Sequence, residues 1–231
     1  MPRLGSIEVT APEIIGVVDS VIAQADLDRL SARGLRVLEF RFDSFKEPIA
    51  AAVELARANR PKFAILGTMR ETETNSKSLE SAHAQFIEVV DAVDIEIATK
   101  EPLCSSLVSI VRNAGKQLMI SHHNFSNVPA TGDLNSIYEQ ARRMSPDFIK
   151  FAIAARSRAE VESLMRFLVA HTGEGVPLSV FAMGKPGLIS RVAAGMLGSL
   201  FTYGYLTEPN APGQLSAVEL LDLKDRLYPE I

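Results

Sequence analysis

Lys150 lies inside the apolar run Phe148-Ile149-Lys150-Phe151-Ala152-Ile153. Lysine is seldom buried without a use. A strand interior with no carboxylate beside it in sequence is a costly place for an ammonium. Burial disfavours the charged form of any amine and makes a neutral nucleophile available toward a carbonyl. Upstream, Ile120-Ser121-His122-His123-Asn124-Phe125 also closes an apolar run. A strand lysine and a strand-end histidine one structural unit apart suit Schiff-base chemistry with a proton carrier, because imidazole titrates near neutrality. Adjacent histidines on a strand point to opposite faces, so one of the two faces the reaction.

The elements that position these residues recur along the chain. Apolar runs at 14–18, 35–42, 63–68, 93–98, 117–121, 148–154, 178–183 and 200–206 are short and rich in Val, Ile, Phe and Leu. Such runs suit strands buried on both faces of a parallel sheet. Helical patterns lie between them, at 26–33, 49–59, 79–90, 102–114, 135–144, 158–171, 188–197 and 216–227. The last opens on Ser216-Ala217-Val218-Glu219, a capping-box pattern. This alternation predicts a (β/α)8 TIM barrel, an α/β fold, with residues 1–231 as one catalytic domain. A doubly wound open sheet fits less well, since no GxGxxG follows an early strand.

A barrel of this kind gathers its chemistry at the C-terminal ends of the strands. Those ends carry Glu39, Arg41 and Asp43 on one strand face, Arg70, the pair Asp94 and Glu96, His123 and Lys150. Asp94 and Glu96 stand in an apolar strand, and the reading assigns them Arg41 or Arg70 as partners. The seventh and eighth strands are followed by Met183-Gly184-Lys185-Pro186-Gly187-Leu188-Ile189-Ser190-Arg191 and by Asn210-Ala211-Pro212-Gly213-Gln214.

The 231 residues are 47% hydrophobic and 23% charged, enough apolar material for a full core. A net charge of −4 gives no basic footprint for nucleic acid. The single cysteine, Cys104, rules out an internal disulfide framework and fits a reducing compartment. No apolar segment is long enough to span a membrane, and Met1 to Glu8 lack a signal-peptide core, so the expected location is cytoplasmic. His122 and His123 are not spaced for joint metal ligation.

Seven segments together resemble type I 3-dehydroquinate dehydratase, the Schiff-base dehydroquinase of the shikimate pathway. They are EFRFD from Glu39, TMR from Thr68, DIE from Asp94, ISHHNF from Ile120, DFIKFA from Asp147, FAMGKPGLISR from Phe181 and NAPGQLS from Asn210. The resemblance implies a TIM barrel, a homodimer and no cofactor. It implies that Lys150 forms an imine with the C3 ketone of 3-dehydroquinate and that His123 carries the protons. Arg191 would hold the substrate carboxylate. Glu39, Arg41 and Arg70 would bind ring hydroxyls, Gln214 and Asn210 would belong to a mobile loop over the site, and Met183 would pack beside the ring. The chain departs from the pattern at Thr74, where the family usually has glutamate followed by glycines, and at Asn210, where it has serine. The other readings are a Schiff-base aldolase and a non-catalytic metabolite-binding barrel.

Overall fold

The structure is a computed structural model and describes residues 1–209, 211 and 213–228. Two antiparallel two-residue strands, β1 (Arg3–Leu4) and β2 (Ile7–Glu8), form a hairpin at the N-terminus. Eight parallel strands follow: β3 (Glu13–Val18), β4 (Val37–Arg41), β5 (Ala64–Thr68), β6 (Ala92–Glu96), β7 (Gln117–Asn124), β8 (Phe148–Ala154), β9 (Leu178–Met183) and β10 (Phe201–Tyr205). They pair in the order β10-β3-β4-β5-β6-β7-β8-β9. This is the barrel that the alternating pattern predicts, and each strand overlaps its predicted run.

Helices alternate with the strands: α1 (Gln24–Ala32), α2 (Ile49–Asn59), α3 (Leu79–Phe86), α4 (Leu103–Asn113), α5 (Thr131–Arg143), α6 (Arg158–His171), α7 (Ser190–Ala193) and α8 (Ala217–Leu227). Two are shorter than the pattern suggests. After α3 the chain tightens to a 3-10 turn at Ile87–Val89, and after α7 to another at Ala194–Leu197, which ends at Gly198 with φ 95°. The α8 capping box forms as predicted, with Ser216 accepting from the Glu219 N–H.

Alternation along each strand divides the apolar residues into two cores. Residues facing outward, such as Leu38, Phe40, Ile65, Val93, Ile120, Ile149, Phe151 and Val180, pack against the helices. Those facing inward, among them Ile15, Val37, Leu66, Met119, Phe148 and Phe201, fill the lower barrel. The hairpin closes that end, with Leu4 and Val9 in the inner core. The Gln117 side chain accepts from the Gly5 N–H and donates to the Arg3 carbonyl, which pins the hairpin to the foot of β7. The inward positions above this plug are polar, and the site lies there.

The barrel closes differently at one seam. Between β9 and β10, Leu200 N–H donates to Leu178 O at 2.9 Å. The next two bonds run to hydroxyls: Val180 N–H to Ser199 Oγ and Phe201 N–H to Ser179 Oγ, each 2.9 Å. Both serines are buried, so each hydroxyl satisfies an amide that has no water to turn to. Ser199→Ala leaves the Val180 amide without this acceptor, and should lower unfolding free energy by about 1–3 kcal/mol. Urea denaturation measures this; an unchanged midpoint would show that the seam does not depend on the hydroxyl.

Candidate active site

Strand register brings the polar residues to one height. Lys150 on β8 lies level with Ser121 on β7 and Ser179 on β9. Asp94 on β6 is level with Thr68 on β5, and Arg41 on β4 is level with Thr68 as well. His123 pairs with Ala152 one step higher. Of these, Arg41, Lys150, His123 and Ala152 line a cleft of about 130 Å³, together with Val17, Glu39, Arg70, Phe125, Phe181, Met183, Arg191, Tyr203, Ala211 and Gln214. That is well below the roughly 300–1,000 Å³ of pockets for larger ligands, and suits one small ring.

Lys150 is 2% exposed. The expectation that it lacks a carboxylate partner is wrong. Its Nζ donates to Asp94 Oδ2 at 2.5 Å and lies 3.7 Å from Glu39 Oε1. Asp94 therefore pairs with Lys150, and Arg41 instead makes a two-bonded pair with Asp43, at 3.0 and 2.8 Å. The Asp94 partner comes from a strand two positions away round the barrel, which sequence adjacency cannot reveal. Burial alone would raise the Asp94 carboxyl, but Lys150 and then Arg70 outweigh it and hold it below the usual carboxylate range. Glu39 Oε1 also accepts from Thr68 Oγ1 at 2.7 Å. The Tyr203 ring faces the ammonium, with its centroid 4.6 Å from Nζ. Burial, reinforced by Glu39 and Asp94, keeps the Tyr203 phenol well above its ordinary pKa and hence neutral.

His123 faces the cleft, and His122 faces the helix layer with its ring edge-on to Phe151. His123 Nδ1 is 2.6 Å from Glu96 Oε2, and its Nε2 is 2.9 Å from Arg70 Nη2. A guanidinium can only donate, so Nε2 accepts and the proton sits on Nδ1, donated to Glu96. Burial, then the cations Arg70, Lys150 and Arg41, hold the His123 imidazole well below its ordinary pKa. Burial raises the Glu96 carboxyl to about 7 against the pull of Arg70. Glu96 is thus the orienting group of His123 as well as a partner of Arg70, 3.8 Å away.

Arg191, which the resemblance assigns to a carboxylate, is 2% exposed. Its Nη1 donates to Tyr203 O at 3.3 Å, and its guanidinium lies 5.0 Å above the Phe181 ring. Its Nε and Nη2 are buried with no hydrogen-bond partner among the described residues. Burial lowers it to about 10, so it remains a cation at neutral pH. Charge counting leads to the same residue. The acids Glu39, Asp43, Asp94 and Glu96 each have a cation in Lys150, Arg41 or Arg70. Arg191 makes no ion pair among the described residues, so a buried cation with two idle donors faces the cleft, a ready seat for a carboxylate.

Two loops roof the cleft and touch at glycines. Gly184 has φ 85° and Gly213 φ 69°, and a Cβ on Gly213 would come 2.8 Å from Gly184 O. Thr207 Oγ1 donates to Asp19 Oδ1 at 3.2 Å, and Lys46 pairs with Glu208 at 3.3 Å, tying the second loop across the barrel mouth. Gln214 and Met183 line the cleft as expected. Asn210 lies outside the described residues. Tyr203 and Phe181 were not anticipated as walls; their inward register beside Lys150 was the available signal.

The profile of the family described as type I 3-dehydroquinase matches residues 17–228. A 3-dehydroquinate dehydratase of Hydrogenobaculum sp. (strain Y04AAS1) is 32% identical over 204 residues, spanning 86% of this chain and 92% of that one. One of Methanothrix thermoacetophila is 30% identical over 227 residues, spanning 94% and 92%. The crystal structure of the 3-dehydroquinate dehydratase from Aquifex aeolicus VF5 superposes with a TM-score of 0.77 at 25% identity, over 94% of this chain and 100% of that one. The type I enzyme of Clostridium difficile, solved with covalently modified comenic acid, shares the fold with a TM-score of 0.83 at 20% identity over the whole of both chains. With the family profile covering nearly the whole barrel, the chain belongs to the type I 3-dehydroquinase family.

Proposed function

We propose that residues 1–231 act as one catalytic domain, a hydro-lyase that converts 3-dehydroquinate to 3-dehydroshikimate in the shikimate pathway. The observation that carries the reading is the convergence on one small cleft of a buried lysine, a neutral imidazole and a buried guanidinium with no ion pair among the described residues. The substrate presents a ketone, a carboxylate and ring hydroxyls, one for each kind of group.

Arg191 takes the carboxylate through its idle N–H groups. Glu39, Arg41, Arg70 and Gln214 take ring hydroxyls, with Asn210 in the same loop, and Met183 packs beside the ring. Lys150 then gives its proton to Asp94, and the amine adds to the C3 ketone. His123 Nε2 relays a proton from the adduct nitrogen to its oxygen, Asp94 returns the proton it took from Lys150, and water leaves to give a protonated imine. That cation makes the C2 proton removable, because the electron pair left behind is delocalised as an enamine. His123 Nε2 takes the C2 proton. The enamine then expels the C1 hydroxyl, to which His123 returns the proton, so one water leaves the ring. Addition of water to the imine releases the enone and restores Lys150. A histidine suits both proton steps, and Glu96 steadies the imidazolium that forms between them. As its family resemblance implies, the protein would work as a homodimer, and in the cytoplasm, where the buried thiol of Cys104 stays reduced.

Borohydride reduction in the presence of 3-dehydroquinate should leave a mass adduct on the Lys150 peptide, and turnover should produce an ultraviolet-absorbing enone. His123→Ala should reduce kcat by about 10²–10⁴ while some adduct still forms. An adduct elsewhere, or normal turnover in this variant, would refute these roles. Arg191→Lys, which loses the planar fork, should weaken substrate binding by about 1.5–3 kcal/mol, read as KM; an unchanged KM would remove the carboxylate from Arg191.

The pH dependence follows from the Glu96–His123 pair. Below about 7 a proton adds to the pair, and the base is lost, so kcat/KM should fall as pH drops through neutrality. Glu96→Gln should lower kcat by about a hundredfold or more and displace that limb. A pH profile flat from 8 to 5 would contradict the pairing.

A further inference from the structure

Arg70 stands just beyond β5 and owes its place over His123 to the loop that follows. Asn75 Nδ2 donates to the Arg70 carbonyl at 2.8 Å. Asn75 Oδ1 accepts from the Thr72 N–H at 2.7 Å, and Thr72 Oγ1 accepts from the Asn75 N–H at 3.3 Å. The two residues thus fold the loop back onto the main chain of Arg70 through reciprocal side-chain-to-backbone bonds. Glu71 extends the hold by accepting from the Lys100 N–H at 3.1 Å, across in the loop before α4. This is the segment where Thr74, followed by Asn75-Ser76, stands in place of the glutamate and glycines of the family pattern.

We propose that Asn75 is a positioning residue for proton transfer: it fixes Arg70 so that the guanidinium rests on His123 Nε2 and holds the imidazole as its Nδ1–H tautomer against Glu96. The proposal rests on His123 being the base. Four charged groups face that imidazole, Glu96 from β6, Arg70 from beyond β5, Arg41 from β4 and Lys150 from β8, while His122 on its own strand points to the helix layer. Of these, Arg70 is the one that touches the lone pair the base must use. It covers the base while the cleft is empty. Arg70 Nε, buried and without a partner among the described residues, is free to bond an arriving substrate oxygen. When a substrate oxygen takes the guanidinium, the lone pair is uncovered beside C2. Asn75 makes this exchange local, since the main chain of Arg70 stays tied while its head group moves.

The tautomer can be read without turnover. In ligand-free protein labelled with 15N-histidine, long-range proton–nitrogen correlation at pH 8 should show His123, assigned by its loss in His123→Ala, protonated on Nδ1 alone. In Asn75→Ala it should show mixed tautomers, with its titration midpoint moved upward as the Arg70 cation recedes. Asn75→Asp keeps an acceptor for the Thr72 N–H and loses the donor to Arg70, so it should behave as Asn75→Ala does. In both variants kcat should fall about tenfold, a part of what acid–base catalysis supplies, with the acid limb of kcat/KM displaced upward and KM changed less. Wild-type tautomer and titration in Asn75→Ala would overturn the proposal, as would an Asn75→Asp variant indistinguishable from wild type. A loss of thermal stability with an unmoved His123 spectrum would also overturn it, reducing Asn75 to a loop residue. Failure of the wild-type protein to turn over 3-dehydroquinate would instead count against the dehydratase reading, and leaves the spectroscopic result intact.

Discussion

The contact between Lys150 and Asp94 is the constraint around which the upper barrel is arranged. Both groups are 2% exposed, and each alone would be a severe penalty in that setting. Their attraction offsets desolvation only with good geometry and further polar partners. Glu39 supplies a second carboxylate, steadied by Thr68, and the Tyr203 face supplies a third side. The extra negative charge of Glu39 then calls for cations nearby, which Arg41 and Arg70 provide. A single buried amine thus accounts for four acids and two further cations at the ends of β4, β5 and β6.

The same crowding explains how one barrel end separates three tasks. Lys150 sits deepest, enclosed by charge. His123 lies a step higher, where its proton traffic runs between Glu96 and the cleft. Arg191, from the helix after β9, has no acid partner among the described residues. The proposed nucleophile, proton carrier and anion seat come from elements far apart in sequence, and the rigid ladder between β7 and β8 sets the spacing between the first two.

Much of this was legible in the sequence because strand burial on both faces leaves continuous apolar runs, and a polar residue within such a run is conspicuous. Lys150, His123, Glu39 and Arg41 were visible for that reason. The partner of Lys150 was not, because Asp94 is 56 residues distant and meets it only through the curvature of the sheet. The pairing of Glu96 with His123 was hidden for the same reason. Arg191 was legible only through its motif, because a place in a helix does not say which way the side chain points. The N-terminal hairpin has two-residue strands, too short for any period to register. Helix 3-10 endings at Ile87 and Ala194 depend on packing, not on local preference.

The seam between β9 and β10 has a consequence for motion. Elsewhere round the barrel the main-chain ladder is continuous, but here two amides rest on serine hydroxyls, which can rotate away without moving a strand. Hydrogen exchange at Val180 and Phe201 will therefore report openings that the rest of the wall does not share. Met183 and Tyr203 hang from these same two strands, so the softest join of the barrel is also a wall of the cleft, and its breathing would change the width of the cleft from the side and not at the mouth.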